Sequence, residues 1–274
     1  MANYLTYPCK VMRITQSYTG TTSHLPHTIG SLKSYPIDEG CSDGGREGFY
    51  CPCDEVVIKR IYGVGTSGTN TIWIESTSPV DFADNTKDYV CGKIIHSNDS
   101  DIKKLKVGQK FKRGQLICYE GTDGASGNHF HLSFGKGKLT GNGWKKNSKG
   151  KYCLTCTGGA EKPEKLFYID PKFTKVLNAK GLTFKELKVY KKGRYQITKS
   201  STLNVRSGPG TNYSIVPYEK YTKGTKEQLS KLKGSSFKKN YFVKNMSFNI
   251  LEIKGNWGRC TSGWVCLDYC TKIR

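Results

Sequence analysis

A chain of 274 residues, 36% of them hydrophobic, can bury one sizeable core and a smaller one, which leaves one or two domains open. Its 44 lysines and arginines face 22 aspartates and glutamates, and the resulting +22 favours polyanionic partners: nucleic acid, an anionic membrane surface or the phosphate-rich polymers of a Gram-positive wall. No stretch is long and apolar enough to span a bilayer, so membrane insertion is not expected. The opening MANYLTYPCKVMR breaks every apolar run with polar or charged residues, so synthesis without an export signal, in the cytoplasm, is expected.

From there the chain punctuates like a β protein. Short β-prone runs (Val11 to Ile14, Val56 to Ile61, Thr71 to Ile74) are separated by glycine, proline, serine and asparagine. The pattern resumes at Asp88 to His96, Gln115 to Glu120 and His129 to Phe134, with a glycine-rich loop over Gly121 to Asn128. The first part therefore reads as antiparallel β. A short helix is predicted over Pro163 to Phe167, and a lysine-rich connector follows, which divides the chain into 1–174, a linker at 175–194 and a tail domain at 195–274.

The eleven cysteines form an odd set and read as buried thiols rather than a disulfide framework. Cys51 with Cys53 and Cys153 with Cys156 offer four thiolates for a structural zinc. The single residue between the first pair, and the strand-like runs around both, speak against that reading.

The histidines carry the chemistry. All five, His24, His27, His96, His129 and His131, precede residue 132. In GNHFHLSFG, His129 and His131 are two positions apart, so on a strand both project from one face and can converge on a metal ion. The approach, GTDGASGN, supplies a glycine-rich rim.

The stretch VGQKFKRGQLICYEGTDGASGNHFHLSFG resembles the closing segment of lysostaphin-like zinc metallopeptidases, in which a hairpin and a strand lead into a histidine-x-histidine strand. KIIHSND and TSHLPHTIGSLKSYPID stand, in order, where that family has its middle histidine and its first histidine and aspartate. The resemblance implies Asp38 and His131 as zinc ligands, with His24 or His27 as the first; the spacing to Asp38 exceeds the family's for both, and the run ITQSYTGTTSH favours His24. It implies His96 and His129 as the catalytic pair that orients water, stabilises the oxyanion and shuttles a proton. Two imidazoles and one carboxylate leave a zinc ion one open position, where it acidifies a water to a pKa of about 7 and polarises a carbonyl.

The tail carries STLNVRSGPGTNY and NWGRCTSGWVCLDYC, which resemble a bacterial SH3-type domain. That resemblance implies a small β-barrel over 195–274 with Trp257 and Trp264 supplying much of its core, and Tyr213, Tyr218 and Trp257 as candidate substrate-binding aromatics. The insert Lys220 to Lys244 departs from the pattern, as a solvated loop or a contact to anionic polymer. The whole is mainly β and resembles a phage or prophage endolysin. The implied activity is zinc-dependent cleavage of a peptide bond in the stem or cross-bridge of Gram-positive peptidoglycan, after release of the protein to the wall. The alternatives are a wall-binding protein with an inactive peptidase fold and a zinc amidase cutting the sugar–peptide junction. A nucleic-acid partner is not expected, since no nucleic-acid-binding fold is legible.

Overall fold

Period-two alternation gives the first unit a sheet with two different buried faces. On the strand Phe130–Lys136, the side chains of Phe130, Leu132 and Phe134 enter the core, while His131, Ser133 and Gly135 turn to the opposite face. Its neighbours repeat the pattern. Val90–Ile95 sends Val90 and Ile94 to the core and sets Ile95, Lys93 and Cys91 opposite His131, Ser133 and Gly135. Thr71–Ser76 sends Ile72 and Ile74 inward and sets Thr71, Trp73 and Glu75 beside those three.

The computed structural model describes residues 3–20, 23–40 and 45–274, and the chain divides into Met1–Leu187 and Lys188–Arg274. The sheet of the first unit has eight strands in the order Lys175–Asn178, Val11–Gln16, Ile37–Glu39, Phe130–Lys136, Val90–Ile95, Thr71–Ser76, Glu55–Tyr62 and Lys110–Lys112. All pairs are antiparallel except the first. A hairpin, Leu139–Lys146 with Tyr152–Cys156, packs over the non-core face, where Leu154, Leu139 and Trp144 meet Trp73 and Cys91. It covers part of that face and is pinned by Trp73 Nε1 donating to the Gly143 carbonyl at 3.3 Å.

The strand runs expected from the sequence are strands, and Pro163–Leu166 is helical. The segment 175–194 differs from the expected connector. Lys175–Asn178 pairs in parallel with Val11–Gln16, and Lys185–Glu186 pairs with Tyr168–Ile169, so the division falls after Leu187. The physical reason is an open sheet edge: Val11–Gln16 presents unpaired backbone groups on its outer side, and buried Thr174 leads the chain back by donating its hydroxyl to the Cys9 carbonyl at 2.9 Å. The ten described cysteines are free thiols, and Cys41 lies outside the described residues. Among the described residues no helix is long and apolar enough to cross a membrane.

One glycine in the sheet is dictated by packing. A Cβ at Gly92 would stand 2.3 Å from Cε1 of Phe134, its cross-strand partner, whose ring lies over the bare backbone. Gly92→Ala is expected to overpack the core by about 1–3 kcal/mol. Thermal melts of the variant check this, and an unchanged midpoint would contradict it.

The second unit is a set of short strands. Gly193–Ile197 runs between Ser247–Ile250 and Cys270–Lys272; Thr202–Asn204 pairs with Tyr241–Val243; and Glu252–Lys254, Trp257–Cys260 and Gly263–Cys266 form a meander. Its core is built from residues such as Ile197, Val205, Leu229, Phe242, Val265 and Leu267. Of the two tryptophans expected there, Trp264 is buried but lies outside that cluster, and Trp257 is half-buried. Register sets Gly258 opposite Val265 on the core face, which leaves Trp257, Trp264 and Arg259 on the other face. The insert Lys220 to Lys244 is not a plain loop: Lys223–Lys233 is a helix, capped by Thr222, whose side chain accepts from the Thr225 amide, and anchored by buried Leu229.

Candidate metal centre

Strand register brings the first two donors together. Ile37–Glu39 pairs antiparallel with Phe130–Lys136 so that Asp38 lies directly opposite His131, flanked by Glu39 opposite Phe130 and Ile37 opposite Leu132. The flanking residues face the core, which commits Asp38 and His131 to the other face; a slip of one residue would bury both in the wrong layer. The Asp38 Oδ1 stands 3.1 Å from His131 Nδ1.

The third donor arrives from a turn. His24 precedes the 3-10 turn Leu25–His27, in which Pro26 restricts the backbone, and its Nε2 stands 3.1 Å from the same Asp38 oxygen. The turn is held from outside by Asn147 Nδ2, which donates to the carbonyls of Pro26 at 2.9 Å and Ile29 at 3.3 Å. Of the two candidates for the first donor, His24 is the one in the cluster. His27 is buried behind it, its ring 5.8 Å from that of His131, with an Nδ1 that has no hydrogen-bond partner.

The donor atoms of His24, Asp38 and His131 all lie within 4.8 Å of one another, and among the described residues no other group of three or more such side chains converges in this way. Around a tetrahedral zinc with bonds of about 2.1 Å, donor atoms stand roughly 3.4 Å apart, close to the 3.1 Å that separates Asp38 Oδ1 from His24 Nε2 and from His131 Nδ1. Two nitrogens and one oxygen also suit zinc better than calcium or magnesium, which prefer oxygen alone. The four cysteines weighed for a structural zinc form no such group among the described residues.

Burial sets the charge states. Burial alone would raise the Asp38 pKa, but hydrogen bonds from His131 and His24 outweigh it and hold the carboxyl well below the usual range. Burial also pushes the His131 pKa down to about 3, against the pull of Asp38, so the imidazole stays neutral and available as a ligand. His27 is lowered to about 4, by burial and then by the nearby Lys93 charge.

The remaining histidines stand beside the cluster. His129 Nε2 is 3.8 Å from Asp38 Oδ1, and its Nδ1 is 2.9 Å from the Gly127 carbonyl. The His96 ring lies 4.6 Å from that of His129, and its Nδ1 is 2.7 Å from the Asp123 carbonyl. A carbonyl only accepts, so in the neutral form each ring carries its proton on Nδ1 and leaves Nε2 as a lone pair. Burial lowers the His96 pKa, partly offset by that carbonyl.

Two residues absent from the sequence expectation belong to this face. Lys93 is buried, lies beside Ser133, and donates from Nζ to the Tyr152 carbonyl at 3.0 Å; Asp123 holds His96. No sequence signal marks either: Lys93 sits in a run buried on both faces, and Asp123 in a glycine-rich loop. In the second unit the three candidate aromatics are not joined to one another by any ring contact among the described residues. Tyr213 is 42% exposed, Tyr218 packs on Tyr221 with centroids 5.8 Å apart, and Trp257 is half-buried.

No family model matches the chain, and no curated protein matches it. Among solved structures it is similar to the antimicrobial peptidase lysostaphin from Staphylococcus simulans, with 13% identity over 93% of this chain and 87% of that chain and a TM-score of 0.32. It is similar to LytU, with 21% identity over 56% of this chain and 82% of that chain and a TM-score of 0.34. A zinc containing peptidase from Vibrio cholerae aligns at 20% identity over 48% of this chain and 33% of that chain, with a TM-score of 0.27. Overlaps this shallow leave the side chains themselves to bear the functional reading.

Proposed function

We propose that this chain is a zinc-dependent peptidase of the lysostaphin type that cuts peptide bonds in the peptidoglycan of a Gram-positive wall. The observation that carries the reading is the convergence of His24, Asp38 and His131 within 4.8 Å, with His129 against the same carboxylate and His96 beside it. His24, Asp38 and His131 would hold zinc, which when bound acidifies water and polarises a carbonyl.

The chain's own residues supply the rest. His129 and His96, each with Nδ1 committed to a backbone carbonyl, offer Nε2 as the atom that takes a proton from the attacking water. The same atom, once protonated, donates to the leaving amine or to the developing oxyanion. Low pKa values at His131 and Asp38 keep those two donors unprotonated near neutral pH.

The second unit is assigned to wall attachment, as an SH3-type module with Tyr213, Tyr218 and Trp257 as its peptide contacts. A tethered second contact raises the effective concentration of scissile bonds at the first unit. The net charge of +22 supports a further attraction to anionic wall polymers.

Mass spectrometry of digested walls tests the reading. Native protein is expected to release peptides with new amino termini inside the stem or cross-bridge; a chelator should abolish release, and added zinc should restore it. Termini produced only at the sugar–peptide junction would make the chain an amidase. Release that survives complete zinc removal would sink the metallopeptidase reading.

A further inference from the structure

His96 has a backbone that needs support. Its φ is +80°, a left-handed conformation that side chains other than glycine seldom adopt, and it occurs at the end of the strand Val90–Ile95 where the chain turns away from the sheet. Something must hold it there.

The holding group is a closed ring of hydrogen bonds through three separate segments. The His96 amide donates to the Asn70 carbonyl at 3.1 Å, and the Asn70 amide donates to the carboxylate of Asp123. The Asp123 amide donates to the His96 carbonyl at 3.2 Å, and the Asp123 carbonyl accepts from His96 Nδ1 at 2.7 Å. Asn70 is itself buried and fixed, since its Nδ2 donates to the Ser97 carbonyl at 2.9 Å and to Asp99 Oδ1 at 2.8 Å. The loop bearing Asp123 can lie this close because Gly121 has no side chain: a Cβ there would stand 2.5 Å from the His96 carbonyl oxygen.

We infer that Asp123 is a positioning residue: by gripping the Asn70 amide with its carboxylate, it places its own carbonyl on His96 Nδ1, which fixes both the ring orientation and the tautomer of the proton-transferring histidine. This deepens the proposed peptidase reading and rests on it. Asp123 touches neither the donor cluster nor the reacting atoms, so its contribution passes through His96. Without the carboxylate the loop loses its tether to Asn70, the His96 ring is free to turn, and the proton is no longer confined to Nδ1. A displaced general base costs rate more than affinity, because the substrate's own contacts persist.

Two readouts test this in the zinc-loaded full chain: steady-state kinetics on a soluble wall-peptide mimic, and ¹⁵N NMR of the histidine rings. Native His96 is expected to show a single Nδ1–H tautomer. Asp123→Ala is expected to lose about 10²-fold in kcat with little change in KM, to show a mixture of His96 tautomers, and to keep native zinc content. Asp123→Asn, which retains an acceptor oxygen, is expected to restore most of the rate and the single tautomer. The inference is overturned by an alanine variant with native kcat, by one whose rate falls while the tautomer stays pure, or by one that loses zinc along with rate. Should Asp123→Ala not fold, the native spectrum still decides, since a mixed tautomer in wild type overturns the idea directly. Failure of the peptidase reading is separate: it would show as no cleavage by native protein while the tautomer still depended on Asp123.

Discussion

His131→Ala is expected to reduce peptide release from walls at least about 10³-fold and to leave the purified protein with almost no zinc. Three donors become two, and the loss also disturbs a second donor. The Asp38 carboxyl is held low by hydrogen bonds from His131 and His24; removing one returns it toward the ordinary carboxylate range, where it stays ionised at neutral pH, but takes away one of the two rings that fix its oxygen. Asp38→Asn is the matching test from the other strand. It preserves shape but replaces an anionic ligand with a neutral amide, and it is expected to fall as far in zinc content with a smaller change in folding. Metal analysis, wall digestion and thermal melts on both variants separate a lost site from a lost fold. Full zinc stoichiometry in either variant would remove the proposed centre.

The strands and the shared face of His129 and His131 were legible because they depend on local rules. Alternation in His129 to Phe134 marks both the strand and the face its histidines share, whereas Asp38, between Ile37 and the charged Glu39, was implied only by the family resemblance. The choice between His24 and His27 was open, since it turns on a 3-10 turn braced by Asn147 from more than a hundred residues away. Lys93 was hidden for the opposite reason. In VCGKII both faces are buried, one by the core and one by the hairpin, so no hydrophobic period survives to show that the lysine and His131 share a face. Trp264 is buried, as its size suggested, but register puts it, with the half-buried Trp257, on the face away from Val265, which no local pattern marks. The parallel strand Lys175–Asn178 fills an edge that no local pattern in a lysine-rich segment reveals.

Lys93→Met is expected to stabilise the first unit at neutral pH and to lose that advantage in alkali. Lys93 is 3% exposed, with the Tyr152 carbonyl as its hydrogen-bond partner and no carboxylate within ion-pair distance among the described residues. Burial lowers its pKa from 10.5 to about 8. The folded state therefore binds this proton less tightly than the unfolded chain, which costs on the order of 3 kcal/mol at any pH below about 8. As pH rises from 8 toward 10.5 the unfolded chain loses its preference for the proton, and the penalty disappears. Methionine removes the penalty but leaves the Tyr152 carbonyl unpaired at a cost of about 1 kcal/mol, so the net gain at pH 7 is about 2 kcal/mol, roughly 5 °C in melting temperature for a unit of this size. Near pH 10.5 the order should reverse, because the neutral amine still donates to that carbonyl and the methionine does not. Melts of both proteins at pH 7, 9 and 10.5 measure the difference directly; a gap that stays constant across that range would show that Lys93 is not a strained cation. With burial, Lys93 disfavours protonation of His27 and His131, and a neutral His131 is what the donor set requires.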